Sequence, residues 1–123
     1  AVTIDLDIET TVEEHFVFPL LVTQLVDNAL RHAFPQNGPY HRIDVRAFQE
    51  DTHWVLEVSD NGVGVPAEFL KRWEQDKKTD TSNLFLLRRA LHRRYGEQAS
   101  CMIHSRPGGT RLKLVLPLTT DQV

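Results

Sequence analysis

Trp54-Val55-Leu56-Glu57-Val58-Ser59-Asp60-Asn61-Gly62-Val63-Gly64 decides how this chain is read. Its first six residues alternate in the manner of a half-buried strand. A strand that runs into Asp-Asn-Gly-x-Gly sets one carboxylate, Asp60, at its end, with Gly62 and Gly64 just beyond. Glycine permits positive φ and a close approach of the backbone to a ligand. The carboxylate is then free to accept a hydrogen bond from an amino group held in the turn. The same residues also suit a tight Asn-Gly turn between two elements, and the motif alone does not separate the two readings.

Upstream, Leu20 to Ala33 carries Leu21, Leu25, Ala29 and Ala33 at i, i+4 spacing, with Val22, Val26 and Leu30 beside them. This is the pattern of a buried amphipathic helix. Asn28 stands among these apolar neighbours, and a buried Asn needs partners for its amide. Its carbonyl oxygen suits a hard cation such as Mg²⁺, which takes oxygen ligands and usually keeps phosphate oxygens in its shell. Gln24 and His32 lie one turn to either side on the same face. The row Gln24/Asn28/His32 lines a cavity in one reading and is the solvated stripe of a surface helix in the other.

The pattern then extends in both directions. It predicts a strand at about 2–9, the helix over 16–33, strands at 41–50 and 53–59, a short helix after Pro66, a polar lid, a helix over 83–95, and strands at 99–105 and 110–117. Hairpins at Glu50-Asp51-Thr52 and Arg106-Pro107-Gly108-Gly109 make part of the sheet antiparallel. The fold class is α/β (α+β), a two-layer sandwich with a mixed sheet covered by helices on one face. Lys71 to Asp80 is the segment expected to be most mobile, because Glu74 to Asp80 has no apolar anchor. Lys77 or Lys78 could reach a phosphate there, or simply be solvated. In the helix 83–95, Leu84, Leu87, Leu91 and Tyr95 form an apolar face, and Arg88, Arg89, His92, Arg93 and Arg94 a basic one. The basic face is either solvated or a docking surface for an acidic partner.

The chain has 123 residues, which is one domain able to bury a core. A net charge of −3 argues against a general nucleic-acid binder. No apolar run is long enough to cross a bilayer as a helix. The lone Cys101 excludes an internal disulfide and reads as a buried core thiol. His15, His41, His53, His92 and His104 form no zinc-ligand spacing. The chain opens in Ala1-Val2-Thr3-Ile4-Asp5 without an initiating Met, which reads as a piece cut from a longer protein.

Taken together, the motifs resemble the ATP-binding catalytic domain of sensor histidine kinases, the Bergerat fold shared with gyrase, Hsp90 and MutL. Leu25-Val26-Asp27-Asn28-Ala29-Leu30-Arg31-His32 looks like the N box. Asp60-Asn61-Gly62-Val63-Gly64 looks like the first glycine box, and Ser105-Arg106-Pro107-Gly108-Gly109-Thr110-Arg111-Leu112 like the terminal glycine-threonine box. The subfamily is similar to the LytS/AlgZ-like kinases that pair with LytTR-type response regulators, on Phe18-Pro19-Leu20-Leu21, Asp27, His32 and Arg93-Arg94-Tyr95-Gly96. Two departures stand out. Thr81-Ser82-Asn83-Leu84 occupies the place of a second box reading roughly Gly-x-Gly-Leu, with Leu84 kept and both glycines replaced. Gln24 stands where related ATPases carry Glu.

The resemblance implies ATP and Mg²⁺ as cofactors and transfer of the γ-phosphate to a histidine outside this chain. It implies that Asp60 accepts a hydrogen bond from the adenine amino group, with Gly62 and Gly64 shaping the pocket mouth. Asn28 would ligate Mg²⁺, and His32 and Arg31 would contact phosphate. Asp27 would assist near the metal or the phosphoacceptor. Asn83 and Leu84 would sit at the helix start beyond the lid, and Thr110, behind Gly108 and Gly109, would support Asp60 through water. The implied setting is the cytoplasmic part of a membrane-anchored bacterial sensor kinase, homodimeric when complete, with an upstream dimerisation and phosphoacceptor segment. A degenerate regulatory pseudokinase and an ATP hydrolase of the same group are the alternatives.

Overall fold

The computed structural model describes residues 2–9, 18–32 and 41–118, without the side chains of 18–20 and 32. Its elements run β1 (Val2–Ile8), α1 (Phe18–His32), β2 (His41–Glu50), β3 (His53–Asp60), α2 (Ala67–Gln75), α3 (Asn83–Tyr95), a 3-10 turn (Gly96–Gln98), β4 (Ser100–Arg106) and β5 (Gly109–Pro117). The expected elements are present to within a residue or two at their described ends. Positions 16, 17 and 33 of the expected first helix lie outside the described residues.

Five strands form one mixed sheet in the order β1-β2-β3-β5-β4. β1 and β2 are parallel, as expected of strands joined through a helix. The remaining pairs are antiparallel. The register explains the sequence alternation. Val45, Val58 and Leu112 share one row, and Ala47, Leu56, Leu114 and Cys101 the next. These side chains are buried against Leu21, Leu25 and Ala29 of α1 and Leu84, Phe85 and Leu91 of α3. The opposite face carries Asp44, Ser59, Arg111 and His104 in one row and Arg46, Glu57, Lys113 and Met102 in another. The first face is apolar along its length, whereas the second is polar in these rows and ends in the apolar row Phe48-Val55-Val115; two layers follow, with the helices on the first face.

The row one step beyond Val45-Val58-Leu112 places the site. Ile43 pairs with Asp60, Asp60 with Thr110, and Thr110 with Ser105. Asp60 therefore faces the helical layer at the end of β3, where the core gives way to open space.

Two expectations about α3 and the segment before it need correction. The apolar face drawn through Leu84, Leu87, Leu91 and Tyr95 omits Phe85, which is fully buried and packs against Phe69 and Trp73 with ring centroids 5.5 and 5.1 Å away. The segment expected to lack an anchor is held by charge. Residues 71–75 belong to α2, and the residues after it are clasped by arginines of the helices on either side. Arg88 bonds the carboxylate of Asp76 at 2.9 Å and the carbonyl of Trp73 at 3.0 Å, with its guanidinium 3.5 Å above the Trp73 ring. Arg89 donates to the carbonyl of Asp80 at 2.6 Å, to that of Lys77 and to the Asp76 carboxylate at 3.3 Å. Arg72 pairs with the Asp80 carboxylate at 3.0 Å. Arg88 and Arg89 are thus structural rather than members of a solvated or partner-facing stripe. Planar, multidentate guanidinium groups replace the missing apolar contacts.

Candidate functional site

Asp60 is half-buried. Its Oδ1 accepts the main-chain N–H of Gly62 at 2.9 Å, and the main-chain N–H of Thr110 also donates to the carboxylate. Burial raises its pKa above the ordinary 3.8, and the two N–H groups offset only part of that rise. Thr110 supports Asp60 through this main-chain bond, beside the β3–β5 ladder.

The loop 61–66 is fixed on both sides. Asn61 caps the β2 edge: its N–H reaches the Arg42 carbonyl at 3.2 Å and its Oδ1 accepts the Arg42 N–H at 2.7 Å. That turns Asn61 away from Asp60. The chain does not double back in a tight hairpin but continues through Gly64, whose φ is +82°. A Cβ on Gly64 would lie 2.8 Å from the Arg106 carbonyl oxygen and 3.0 Å from Ser105 Oγ. The next residue, Val65, donates its N–H to that Ser105 Oγ at 2.6 Å. Gly64 is therefore a position where both conformation and space require glycine. Gly62 is buried beside Asp60. Gly109 is packed so closely on the Asp60 carbonyl that no side chain fits there.

These elements enclose a cavity of about 620 Å³, within the range of ligand pockets. Of the residues singled out from the sequence, Asn28, Asp60, Gly64, Asn83, Leu84 and Thr110 line it. Asn28 and Ala29 come from α1, Val58 and Asp60 from β3, and Thr110 and Leu112 from β5. Carboxylate and amide thus share an otherwise largely apolar chamber.

Other expected site residues stand elsewhere. Asp27 and Arg31 pair with each other at 3.0 Å along α1, both more than half exposed, and neither lines the cavity. Gln24 is exposed, so the polar row Gln24/Asn28/His32 does not line the chamber as a unit. The side chain of His32 lies outside the described residues. Gly62 and Gly109 act through the backbone around Asp60. Lys77 and Lys78 are exposed and also outside the lining. Sequence reasoning missed Val65, Pro66, Glu68, Phe69 and Arg72, which line the cavity. The signal for Phe69 and Arg72 was their i, i+3 spacing on the short helix after Pro66, which puts both on one side.

The replaced glycine box has a defined geometry. Ser82 is the N-cap of α3, with φ −66° and ψ 160°, but its side chain makes no capping bond. The first turn of α3 carries no acidic residue, so its N–H groups beside the cavity are compatible with an anion.

Among the described residues, no cluster of three or more His, Cys, Asp or Glu side chains could hold a metal ion. The Asn28 carbonyl oxygen in the cavity fits a hard cation that takes its remaining ligands from phosphate and water. No helix of the described residues is long and apolar enough to cross a membrane.

The fold and this chamber define a class. Residues 18–120 match the family described as Histidine kinase-, DNA gyrase B-, and HSP90-like ATPase, and the chain belongs to that family. Within it the chain is similar to the sensor protein LytS: 35% identical over 118 residues in Staphylococcus saprophyticus, covering 93% of this chain and 20% of that protein. The LytS of Bacillus subtilis is 31% identical over 120 residues, covering 94% of this chain and 20% of that protein. The chain thus spans about a fifth of the length of these curated relatives. The fold is also that of the histidine kinase domain of the blue-light activated histidine kinase of Erythrobacter litoralis EL346. That match has a TM-score of 0.71 at 20% identity, covering 99% of this chain and 54% of that one. A catalytic domain of the histidine kinase ThkA matches with a TM-score of 0.68 at 16% identity, covering 99% of this chain and 82% of that one.

Proposed function

We propose that this chain binds ATP with Mg²⁺ and presents the γ-phosphate to a histidine outside it, as the catalytic part of a two-component sensor kinase. The observation that carries the reading is the desolvated Asp60 carboxylate on the wall of the cavity, oriented by Gly62 and Thr110 and within one chamber with Asn28. Adenine fits the apolar part between Val58, Phe69 and Leu112, with its amino group donating to Asp60. Asn28 would hold Mg²⁺, which neutralises phosphate charge when bound. Phosphoryl transfer depends mainly on positioning and charge neutralisation, and the chain's own share is to seat the base, orient the phosphates and exclude water. Asp27, Arg31 and His32 near the C-terminal end of α1 are the candidates to meet the incoming phosphoacceptor.

The relatives are sensor proteins, so the proposed setting is a dimeric kinase with an upstream phosphoacceptor segment, a membrane-anchored sensor region with this part in the cytoplasm, and a LytTR-type response regulator. A regulatory module that keeps the fold without the chemistry is the second reading, favoured by Thr81-Ser82-Asn83 in place of glycines. The absence of acidic residues in the first turn of α3 weighs for nucleotide binding.

Titration with ATP and GTP tests the proposal. Guanine offers a carbonyl where adenine offers an amino group, so Asp60 should make ATP bind at least about tenfold more tightly. Equal affinities would remove Asp60 from base recognition. For the transfer step, the longer protein that contains this chain should acquire acid-labile phosphate from labelled ATP, and Asn28→Ala should abolish it.

A further inference from the structure

Arg72 is the one cationic side chain among the described residues lining the cavity, opposed by the carboxylates of Asp60 and Glu68. We infer that Arg72 is a phosphate-binding residue held in reserve by Asp80, and that a nucleotide draws its guanidinium from the Asp80 carboxylate to a phosphate oxygen. The inference rests on the ATP-binding reading and deepens it, by assigning the group that reads the polyphosphate.

The neighbouring arginines are committed elsewhere. Arg88 is largely buried, with a side-chain exposure of 12%, and is bound to Asp76, the Trp73 carbonyl and the Trp73 ring. Arg89 spans two carbonyls and a carboxylate. Among the described residues Arg72 has a single ion pair, to Asp80 at 3.0 Å, and its side chain is 45% exposed. Its guanidinium lies 5.3 Å from the ring centroid of Phe69, another residue of the cavity lining.

Asp80 is built to let go without moving. Its carbonyl is held by Arg89 at 2.6 Å and its N–H by the Lys77 carbonyl at 2.9 Å. The carboxylate can therefore lose its partner while the backbone stays in place, and the motion is a side-chain swing of Arg72. The pair is only partly shielded from water, with the Arg72 side chain 45% and the Asp80 side chain 17% exposed, and one such ion pair is a modest competitor. A phosphate brings more charge and matches the guanidinium fork. The swing also compensates for the replaced glycines: where backbone approach to the phosphates is reduced, a long cation from α2 supplies the contact.

The test is calorimetric titration of the 123-residue chain, its Arg72→Gln variant and its Asp80→Asn variant with ATP and with adenosine, in Mg²⁺. Arg72→Gln should bind ATP about tenfold more weakly, the loss of a charge-assisted contact, and adenosine as the unsubstituted chain does. Asp80→Asn should bind ATP about two- to fivefold more tightly, by removal of the competing ion pair, again with adenosine unchanged. The inference is overturned if Arg72→Gln binds ATP normally, if it loses ATP and adenosine alike, or if Asp80→Asn binds ATP more weakly. An unsubstituted chain that binds neither ligand would instead overturn the ATP-binding reading itself, a result distinct from normal binding that ignores Arg72.

Discussion

Gly64→Ala is the substitution whose cost follows most directly from the structure. The residue has φ +82°, where an L side chain pays about 1–2 kcal/mol. Its Cβ would also stand 2.8 Å from the Arg106 carbonyl oxygen. Ordinary contact begins near 3.4 Å, so the loop must retreat from β4 by roughly half an ångström, and overpacking of that kind costs about 1–3 kcal/mol. The same retreat stretches the 2.6 Å bond from the Val65 N–H to Ser105 Oγ, at a further cost of about 1 kcal/mol. The sum is about 3–6 kcal/mol, a large part of the stability of a domain this size, and should lower Tm by roughly 10–25 °C. Gly108→Ala is the control. Gly108 has φ +100° but nothing within 4 Å of a Cβ, so it pays the backbone part alone, about 1–2 kcal/mol. Urea unfolding followed by circular dichroism should show the Gly64→Ala midpoint well below that of Gly108→Ala at equal m-value. Equal midpoints, or the reverse order, would refute the claim that the loop is pressed against β4.

Three other predictions concern separate parts of the chain. Asp60→Asn should weaken ATP binding by about 1.5–3 kcal/mol, the worth of a hydrogen bond to a charged group. It should also flatten a pH effect. Because the Asp60 pKa is raised in the folded state, its ionised form is a stability cost at neutral pH that is relieved as pH falls through the raised pKa toward 3.8. The stability of the unsubstituted chain relative to Asp60→Asn should therefore increase on acidification from pH 7, and a decrease would contradict the desolvated carboxylate. Arg88→Met should cost about 2–4 kcal/mol, from the cation–π contact with Trp73 and the bonds to the Trp73 carbonyl and Asp76; a urea midpoint within error of the unsubstituted chain would show the clasp to be idle. Cys101, buried and with its thiol pushed up to about 12 by burial, should resist alkylation at pH 8 in the native state and react promptly in denaturant; prompt native-state labelling would show that β4 opens readily.

The fold was legible in this sequence because its elements announce themselves by period. β2, β3 and β5 alternate over a single buried face, and α1 repeats Leu21, Leu25 and Ala29 at one turn. The site was legible where a polar residue breaks such a pattern: Asp60 ends an apolar row, and Asn28 interrupts an apolar helix. The misses share a physical cause. Phe85 lies one residue off the stripe drawn through Leu84 and Leu91, since a helix packed on two sides buries more than one row. The clasp of Arg72, Arg88 and Arg89 was hidden because a charged residue reads as solvated until its partners are known, and Asp76 and Asp80 are brought to it by tertiary structure. The cavity role of Arg72 was hidden for the same reason. Asp27 and Arg31, adjacent in the motif to Asn28, point elsewhere on the helix, which is a matter of about 100° per residue that a motif does not display.

The most direct test of the central claim is calorimetric titration of this chain with ATP in the presence and absence of Mg²⁺, alongside Asn28→Ala. The account predicts binding in the micromolar to sub-millimolar range, about −4 to −8 kcal/mol, strengthened by Mg²⁺ in the unsubstituted chain and indifferent to it in Asn28→Ala. Absence of ATP binding under both conditions would contradict it, and would leave a family member that keeps the chamber for a regulatory rather than a phosphoryl-transferring role.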